Sequence, residues 1–138
     1  MFCWTDDMIS FMQDAANFGS YQQELADWIC EALPVVRHVC DAGCGLGFLS
    51  VRLAERFETV TAADISGQAL ANLHRIAAEK NVSNLEILET DMLTFAPEAP
   101  YDAMVFSLFG RMREILRVAK RCCAGEIVVV KKAFTHHR

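Results

Sequence analysis

The sequence predicts an α/β protein in which a parallel β-sheet lies between layers of helices. From residue 35 onward, segments with the apolar spacing of strands alternate with segments that have the apolar spacing of helices. This alternation is typical of parallel strands joined by helical crossovers. The hydrophobic fraction of 53% is high, as expected for a sheet that is buried on both faces. With 138 residues, the chain is expected to form one domain.

Two helices are predicted before the sheet, within residues 1–34. Residues 5–17 have helical apolar spacing, and the sequence from Asn17 to Ser20 interrupts it. Ser20 is a suitable N-cap for the second helix, and Pro34 ends that helix. The expected apolar stripe of the second helix consists of Leu25, Trp28, Ile29 and Leu33.

A glycine-rich turn lies between the first predicted strand, Val35–Asp41, and a predicted helix over residues 46–57. Gly43, Gly45 and Gly47 stand at alternate positions in this turn. Glycine tolerates positive φ and lets a ligand approach the backbone closely. The start of the helix is also expected to direct free N–H groups toward a polar or anionic ligand. The turn is therefore the candidate ligand site, and the alternative is a turn that binds nothing.

The other strands and helices follow in alternation. A helix over residues 67–80 is predicted after the N-cap Ser66, and another over residues 111–123. The second of these is expected to bury Met112, Ile115, Leu116, Ala119, Cys122 and Cys123. Strands are predicted at Glu58–Asp64, Leu85–Glu89 and Tyr101–Ser107, and at Glu126–Lys132 after an opening Gly125.

The charge is distributed unevenly along the chain. Residues 1–109 contain 16 acidic residues and 5 Lys or Arg, whereas residues 110–138 contain 8 Lys or Arg and 2 acidic residues. Arg113, Arg117 and Arg121 repeat at four-residue spacing and are expected on one side of their helix. The preferred interpretation is a solvated helix face. The alternative is a basic patch that meets an acidic substrate or partner.

The cysteine pattern and the hydropathy exclude several classes of protein. None of the six cysteines forms a C-x-x-C pair, so no zinc site is expected and the thiols are predicted to be reduced in a cytoplasmic protein. No apolar run approaches the roughly 18 residues of a membrane span. The N-terminus does not have the pattern of a secretory signal.

The segment Val39–Gly47 resembles motif I of the class I S-adenosylmethionine-dependent methyltransferases, D-x-G-x-G-x-G, with the acid at Asp41. A dinucleotide-binding turn instead has G-x-G-x-x-G, and Phe48 stands where its third glycine is expected. Asp64 lies 21 residues after Gly43, near the spacing at which an acid accepts hydrogen bonds from ribose hydroxyls. The alternative for Asp64 is a surface acid at a strand end.

This resemblance implies a fold, a cofactor and a set of site residues. The implied fold is a Rossmann-like three-layer αβα sandwich with about five parallel strands in the order 3-2-1-4-5, and with the N-terminal helices over the cofactor site. The implied cofactor is S-adenosylmethionine, and S-adenosylhomocysteine is its product. The implied cofactor-binding residues are Asp41, Ala42, Gly43, Cys44, Gly45, Gly47, Asp64, Ile65, Asp91, Met92 and Ser107.

Individual roles also follow from the resemblance. The turn backbone would hold the methionine portion, and Asp41 would act through the turn geometry or on the amino group. Asp64 would hold the ribose, while Asp91 and the backbone N–H of Met92 would bind the adenine. No catalytic residue and no metal ligand is assigned.

The resemblance implies methyl transfer, and the acceptor is predicted to be a small molecule because no nucleic-acid-binding motif is present. Ser107–Gly110 lacks the [D/N]-P-P-[Y/F] motif, which argues against methylation of an exocyclic base amine. Phe109 and Arg111 are candidate acceptor-site residues. His136 and His137 titrate near neutral pH, but a mobile tail is the preferred interpretation for them.

Two other functions remain open from the sequence. One is an NAD-dependent dehydrogenase, and the other is a catalytically degenerate scaffold or regulator that binds S-adenosylmethionine. The family normally has two further strands after the fifth. The core, residues 35–138, is therefore expected to be part of a longer protein, or to form a homodimer through the edge of strand 126–132.

Overall fold

The structure, a computed structural model, describes residues 21–107 and 109–130. The predicted helix over residues 5–17 and the histidines His136 and His137 lie outside this part of the chain. No helix within the described residues combines the length and the apolar character that crossing a membrane requires. The elements are α1 (Tyr21–Ala32), β1 (His38–Ala42), α2 (Phe48–Ala54), β2 (Thr59–Asp64), α3 (Gly67–Glu79), β3 (Leu85–Glu89), β4 (Tyr101–Ser107), α4 (Met112–Cys122) and β5 (Cys123–Val130).

The five strands form one sheet in the order β3-β2-β1-β4-β5, and every neighbouring pair is parallel. The predicted strand order and direction are confirmed. Asp41 in β1 is paired with Ala62 in β2 and with Val105 in β4. Because the strands are parallel and in this register, the turns that follow β1, β2 and β4 meet at one edge of the sheet, where the strand order reverses.

Helices cover both faces of the sheet, as predicted for a three-layer sandwich. Val39 of β1 packs in a cluster with α1 and α2, whereas the next residue, Cys40, packs in a cluster with α4. Successive residues of a strand point to opposite faces, so α4 covers the face opposite to α1 and α2. Ala62 of β2 packs with α3 and lies on the same face as Val60, which belongs to the cluster of α1 and α2.

The region between α1 and β1 differs from the prediction in two respects. Trp28 is 57% exposed, so it does not belong to the buried stripe of α1, and the fully buried Ala26 packs in the core instead. Val35 is 91% exposed, because residues 34 and 35 form a turn and β1 begins only at His38. The carboxylate of Asp102 accepts a hydrogen bond from the N–H of His38 at 2.9 Å and fixes this later start.

The buried face of α4 also differs from the prediction. Ile115, Val118 and Cys122 are buried, whereas Met112 and Leu116 are 41% and 54% exposed. Apolar residues occur at so many positions of this segment that helical spacing alone fits two different faces. The helix is rotated so that Val118, rather than Leu116, enters the core.

Strand β5 begins at Cys123, directly after α4, and not after Gly125 as predicted. Gly125 lies inside the strand, where the pairing of β4 with β5 is irregular between Tyr101 and Ala103. A Cβ atom at position 125 would collide with the carbonyl oxygen of Asp102. The glycine therefore permits a close approach of two backbones and does not form a turn.

Candidate functional site

The glycine turn after β1 is held against the end of β2 by backbone hydrogen bonds. The N–H groups of Gly43 and Cys44 both donate to the carbonyl oxygen of Ala63, at 2.8 and 2.9 Å. Gly43, Gly45 and Gly47 have φ values of 71°, 59° and 88°, which confirms that the turn uses conformations that favour glycine. The N–H of Gly47 donates to the carbonyl of Cys44 at 3.2 Å.

Asp64, at the end of β2, connects this turn to the start of α3. Its Oδ2 accepts a hydrogen bond from the N–H of Gly45 at 2.8 Å, and its Oδ1 accepts one from the N–H of Ser66 at 2.9 Å. Ser66 in turn caps α3, since its hydroxyl accepts from the N–H of Ala69. Sequence reasoning missed this organising role of Asp64. Each carboxylate oxygen can accept a further hydrogen bond.

The N–H groups of Gly43, Cys44, Gly45 and Gly47 all have partners within the protein, so these four serve the turn itself. The expected ligand contact of the helix start concerns the N–H groups of the first turn of α2, which begins at Phe48, and it stays a prediction. Gly47 has another use. A Cβ atom there would lie 2.8 Å from Cγ of the buried Leu73, so this glycine lets α2 approach α3 closely.

Asp41 is a buried carboxylate that is only partly satisfied by the protein. Its Oδ2 accepts a hydrogen bond from the Ser50 hydroxyl at 2.6 Å, whereas its Oδ1 has no partner among the described residues. The Oγ atom of Ser107 is also buried without a partner in this part of the chain. Asp41 and Ser107 belong to the paired strands β1 and β4. Such unpaired buried polar atoms are rare and require an explanation.

The environment of Asp41 favours its protonated form. Burial raises the pKa of this carboxyl to about 6, the hydrogen bond from Ser50 opposes the rise, and the nearby charge of Asp64 adds to it. A cationic group placed beside Asp41 would reverse this effect, because a positive charge stabilises the carboxylate in a poorly solvated site. The site is therefore electrostatically suited to a positively charged ligand.

Replacing Asp41 by asparagine is expected to stabilise the ligand-free protein near neutral pH. The pKa of about 6 in the folded state exceeds the ordinary value of about 4, so the folded state binds the proton more tightly. Ionising Asp41 therefore lowers the free energy of unfolding. This loss is absent below about pH 4 and complete above about pH 6. Urea unfolding at about pH 7.5 should show a gain of up to ~3 kcal/mol for Asp41→Asn.

The same variant at about pH 3 serves as the internal control, because the wild-type carboxyl is then mostly protonated in both states. Asparagine retains an oxygen that accepts the hydrogen bond from Ser50. If Asp41→Asn lowers the free energy of unfolding equally at both pH values, the ionised carboxylate costs the folded protein no stability. That result would contradict this description of the site.

The segment after β3 contributes Asp91, Met92 and Leu93 to the same edge of the sheet. The N–H of Thr90 donates to the carbonyl of Asp64 at 2.9 Å, which holds this segment beside the end of β2. Asp91 is exposed, and its Oδ1 accepts from the N–H of Leu93 at 3.0 Å. Met92 is buried, whereas Leu93 is 46% exposed.

Two exposed apolar side chains follow the acids of this edge. Ile65, directly after Asp64, is 42% exposed, and Leu93, two residues after Asp91, is 46% exposed. Exposed large apolar side chains beside polar groups are typical of ligand sites. Ile65 was predicted from the sequence. Leu93 was missed, and its signal was only that it follows the Asp91-Met92 pair.

The loop after β4 covers the glycine turn. A Cβ atom at Gly43 would lie 2.8 Å from Cδ1 of Phe109, so the Phe109 ring lies against this glycine. The ring also contacts Phe106 edge to face, with centroids 5.4 Å apart. Arg111 follows two residues later as the exposed N-cap of α4. Phe109 therefore lies beside the glycine turn, and its role at an acceptor site stays a prediction.

The predicted site residues are brought together by these contacts. Asp41, the glycine turn and Asp64 form one connected group, the bond from Thr90 joins Asp91 and Met92 to it, and strand pairing places Ser107 beside it. Cys44 is half-buried in the turn, and burial raises the pKa of its thiol. A neutral thiol is a poor nucleophile, which agrees with a packing role for Cys44.

Comparison with known proteins identifies the family. Residues 39–125 match the family described as Methyltransferase domain. The chain is 26% identical over 112 residues to ribosomal RNA small subunit methyltransferase G of Pseudomonas aeruginosa. This match covers 79% of this chain and 47% of that protein. It is 37% identical over 71 residues to the chloroplastic magnesium protoporphyrin IX methyltransferase of Arabidopsis thaliana, covering 49% of this chain and 22% of that protein.

A solved structure supports the same assignment at the level of the fold. A protein of Methanococcus maripaludis, provisionally assigned as an S-adenosyl-L-methionine-dependent methyltransferase, superimposes with a TM-score of 0.78 at 19% identity. The match covers 94% of this chain and 66% of that one. The chain spans less than half the length of the curated relatives named above. The family match, the strand order and the glycine turn agree, and the chain belongs to the class I S-adenosylmethionine-dependent methyltransferases.

Proposed function

We propose that this chain binds S-adenosylmethionine at the carboxyl edge of β1, β2 and β4 and transfers its methyl group to an acceptor. One observation carries the proposal. Asp41 Oδ1 and Ser107 Oγ are buried without partners among the described residues, on neighbouring strands beside the glycine turn. The α-amino group of the cofactor offers the N–H donors that such oxygens need. Its positive charge also suits the environment of Asp41.

The other residues would hold the rest of the cofactor. We assign the ribose to Asp64, whose two oxygens are fixed by the N–H groups of Gly45 and Ser66 and can still accept hydroxyl donors. We assign the adenine to Asp91 and to the N–H of Met92, between the exposed side chains of Ile65 and Leu93. Ala42 and the backbone of residues 43–47 would border the methionine portion.

We expect Phe109 to move when the cofactor binds. The Oδ1 atom of Asp41 and the Oγ atom of Ser107 are enclosed, and the Phe109 ring lies against Gly43. A ligand at the turn replaces this contact, after which the ring can close over the ligand. Excluding water in this way favours a productive arrangement of the reacting groups.

The chemistry requires little from the protein beyond alignment. When bound, S-adenosylmethionine supplies a methyl group that is already activated by its positively charged sulfur. The residues around the turn would hold this methyl group in line with the acceptor, and Phe109 and Arg111 at the start of α4 would face the acceptor. The proposal assigns no residue as a general base.

Family membership argues against one of the two alternative functions and leaves the other possible. Membership of the methyltransferases argues against an NAD-dependent dehydrogenase, and Phe48 at the position of the third dinucleotide glycine agrees with this. A catalytically degenerate scaffold or regulator that binds the cofactor shares the same fold and site. Only turnover distinguishes it from an enzyme, since cofactor binding is expected of both.

Family membership does not determine the methyl acceptor, the oligomeric state or the cellular location, so these are proposals. The relatives are named as methyltransferases of ribosomal RNA and of magnesium protoporphyrin IX, so the small-molecule acceptor stays a prediction, with RNA as the alternative. A homodimer through the edge of strand 126–132 and a cytoplasmic location also stay predictions. Within the described residues, β5 is paired only with β4, which leaves its other edge for a second chain.

Calorimetric titration tests the proposed cofactor. The chain is expected to bind S-adenosylmethionine and S-adenosylhomocysteine with dissociation constants of about 1–100 μM, typical of small-ligand sites in enzymes, and to give no heat with NADH. Binding of S-adenosylmethionine should strengthen as the pH rises through about 6, because the ionised form of Asp41 attracts the cation. NADH binding without binding of either adenosyl compound would contradict the proposal.

A further inference from the structure

Helix α4 carries a strongly basic face that the proposed cofactor site does not use. Arg113, Arg117 and Lys120 are all exposed. A helix rotates by about 100° per residue, so these three side chains leave the helix within about 60° of one another. The buried face, Ile115, Val118 and Cys122, lies on the opposite side. We call Arg113, Arg117 and Lys120 the basic face of α4.

The positive charges of this face are not neutralised within the described part of the chain. The ion pairs found there join Arg37 to Glu58, Arg56 to Asp27 and Arg75 to Glu79, and none involves α4. Glu114 is the one acid of α4, and its carboxylate accepts a hydrogen bond from the N–H of Arg111 at 3.0 Å. The basic face therefore presents uncompensated charge to an external partner.

Helix α4 is also held rigidly beside the cofactor edge. Arg121 donates to the carbonyl oxygens of Met92 and Phe95 at 2.6 and 2.7 Å, which fixes the end of the helix to the segment after β3. The start of the helix follows Phe109, whose ring lies against Gly43. A molecule that lies along the basic face can therefore extend to the loop that covers the glycine turn.

The acids at the carboxyl edge of the sheet and the basic face of α4 have opposite charges, which suits two different ligands. Asp41, Asp64 and Asp91 stand at or after the ends of β1, β2 and β3 and suit a cationic cofactor. The basic face of α4 suits an anionic acceptor. Seven residues separate Arg113 from Lys120, which is about 10 Å along the helix. The three cations thus repeat about every 5 Å along the helix, so the repeated phosphates of one nucleic acid strand can contact all three at once.

We propose that the basic face of α4 binds the phosphate backbone of a single-stranded RNA segment, and that RNA is the methyl acceptor. This inference rests on the proposed function, because the acceptor must reach a cofactor at the glycine turn. A base must leave its stack to reach a site at the glycine turn, and unstacked bases are common in the single-stranded regions of RNA. A single acidic group on a small molecule would use only one of the three cations.

Fluorescence anisotropy with a labelled RNA strand of about 12 nucleotides tests the inference. In the presence of S-adenosylhomocysteine, the affinity of the wild-type chain should fall about 20-fold between about 50 and about 200 mM salt, as expected for about three phosphate contacts. The double variant Arg113→Gln/Arg117→Gln should bind at least about 10-fold more weakly at the lower salt concentration. Its affinity should then fall only about 3-fold over the same range.

Two further variants control for charge and for folding. Arg75→Gln/Lys80→Gln removes the same charge from the end of α3 and should retain the wild-type affinity for RNA. Arg113→Lys/Arg117→Lys keeps the charge and should keep the salt dependence. All six substitutions are at exposed positions, where changes usually alter stability by less than about 0.5 kcal/mol. Arg75 also bonds Glu79 and Asn72, so urea unfolding of Arg75→Gln/Lys80→Gln checks that this control variant is folded.

Calorimetry with S-adenosylhomocysteine on the same proteins separates the two proposals. Normal cofactor binding with no RNA binding, or with equal RNA binding by the wild type and Arg113→Gln/Arg117→Gln, overturns the inference and leaves the proposed function intact. RNA binding without cofactor binding contradicts the proposed function, and with it RNA as acceptor. Binding of a polyglutamate peptide but not of RNA would assign the basic face to an acidic protein, which also overturns the inference.

Discussion

The Asp64→Ala variant is expected to lose at least about 100-fold in affinity for S-adenosylhomocysteine. In the structure the carboxylate fixes the N–H groups of Gly45 and Ser66, and thereby joins the glycine turn to α3. In the proposed complex it also accepts the ribose hydroxyls. Hydrogen bonds to charged groups contribute about 1.5–3 kcal/mol each, so losing even two of them corresponds to at least about 100-fold in the dissociation constant.

A matched control for Asp64 exists at the other edge of the sheet. Asp102 also accepts a backbone hydrogen bond, from the N–H of His38, but β4 begins there and the cofactor edge lies at its far end. Asp102→Ala is therefore expected to retain the affinity for S-adenosylhomocysteine. Asp64→Asn, which keeps one acceptor oxygen, should be intermediate. A folded Asp64→Ala protein that binds like the wild type would contradict the role assigned to this carboxylate.

The Gly47→Ala variant is expected to be destabilised by about 3 kcal/mol or more. A Cβ atom at this position would lie 2.8 Å from Cγ and 2.9 Å from Cβ of Leu73, whose side chain is fully buried in α3. The collision involves the base of the leucine side chain, so a rotamer change cannot relieve it. Overpacking costs typically 1–3 kcal/mol, and the φ of 88° adds about 1–2 kcal/mol for a residue other than glycine.

Urea unfolding of Gly47→Ala beside Gly110→Ala measures this effect. Gly110 is exposed, and a Cβ atom there would meet the flexible carboxylate of Glu114 at 2.8 Å, which can move away. Gly110→Ala is therefore expected to lower the free energy of unfolding by less than about 1 kcal/mol. An equal, small loss for both variants would show that α2 and α3 separate easily, and that Gly47 is not needed for their packing.

The sequence was sufficient to predict the strand order and the edge of the sheet where the site lies. The alternation of elements predicted a parallel sheet with helical crossovers, and the resemblance of the glycine turn to motif I of the methyltransferases implied the strand order and the position of the site. Spacing also located Asp64 correctly at the end of β2. Spacing could not show that Asp64 accepts from Gly45 and Ser66, since these bonds depend on how two turns meet in space.

Among the predictions that were wrong are the buried face of α4, where apolar residues are abundant, and the start of β5, where two backbones meet. In α4 the apolar pattern allowed two faces, and Val118 entered the core in place of Leu116. At β5 the glycine suggested a turn, but Gly125 serves a close contact with the backbone of Asp102. The rotation of α4 matters for the proposed RNA contact, because it determines which side of the helix presents Arg113 and Arg117.

Chemical-shift mapping of backbone amides during titration with S-adenosylhomocysteine tests the central claim most directly. The largest shifts are predicted at residues 41–47, 64–66, 91–93 and 107, which come together only at the carboxyl edge of the sheet. Amides at the opposite edge, such as His38 and Thr59 at the starts of β1 and β2, should remain unchanged. Shifts concentrated at that opposite edge, or no shifts at saturating ligand, would contradict the account.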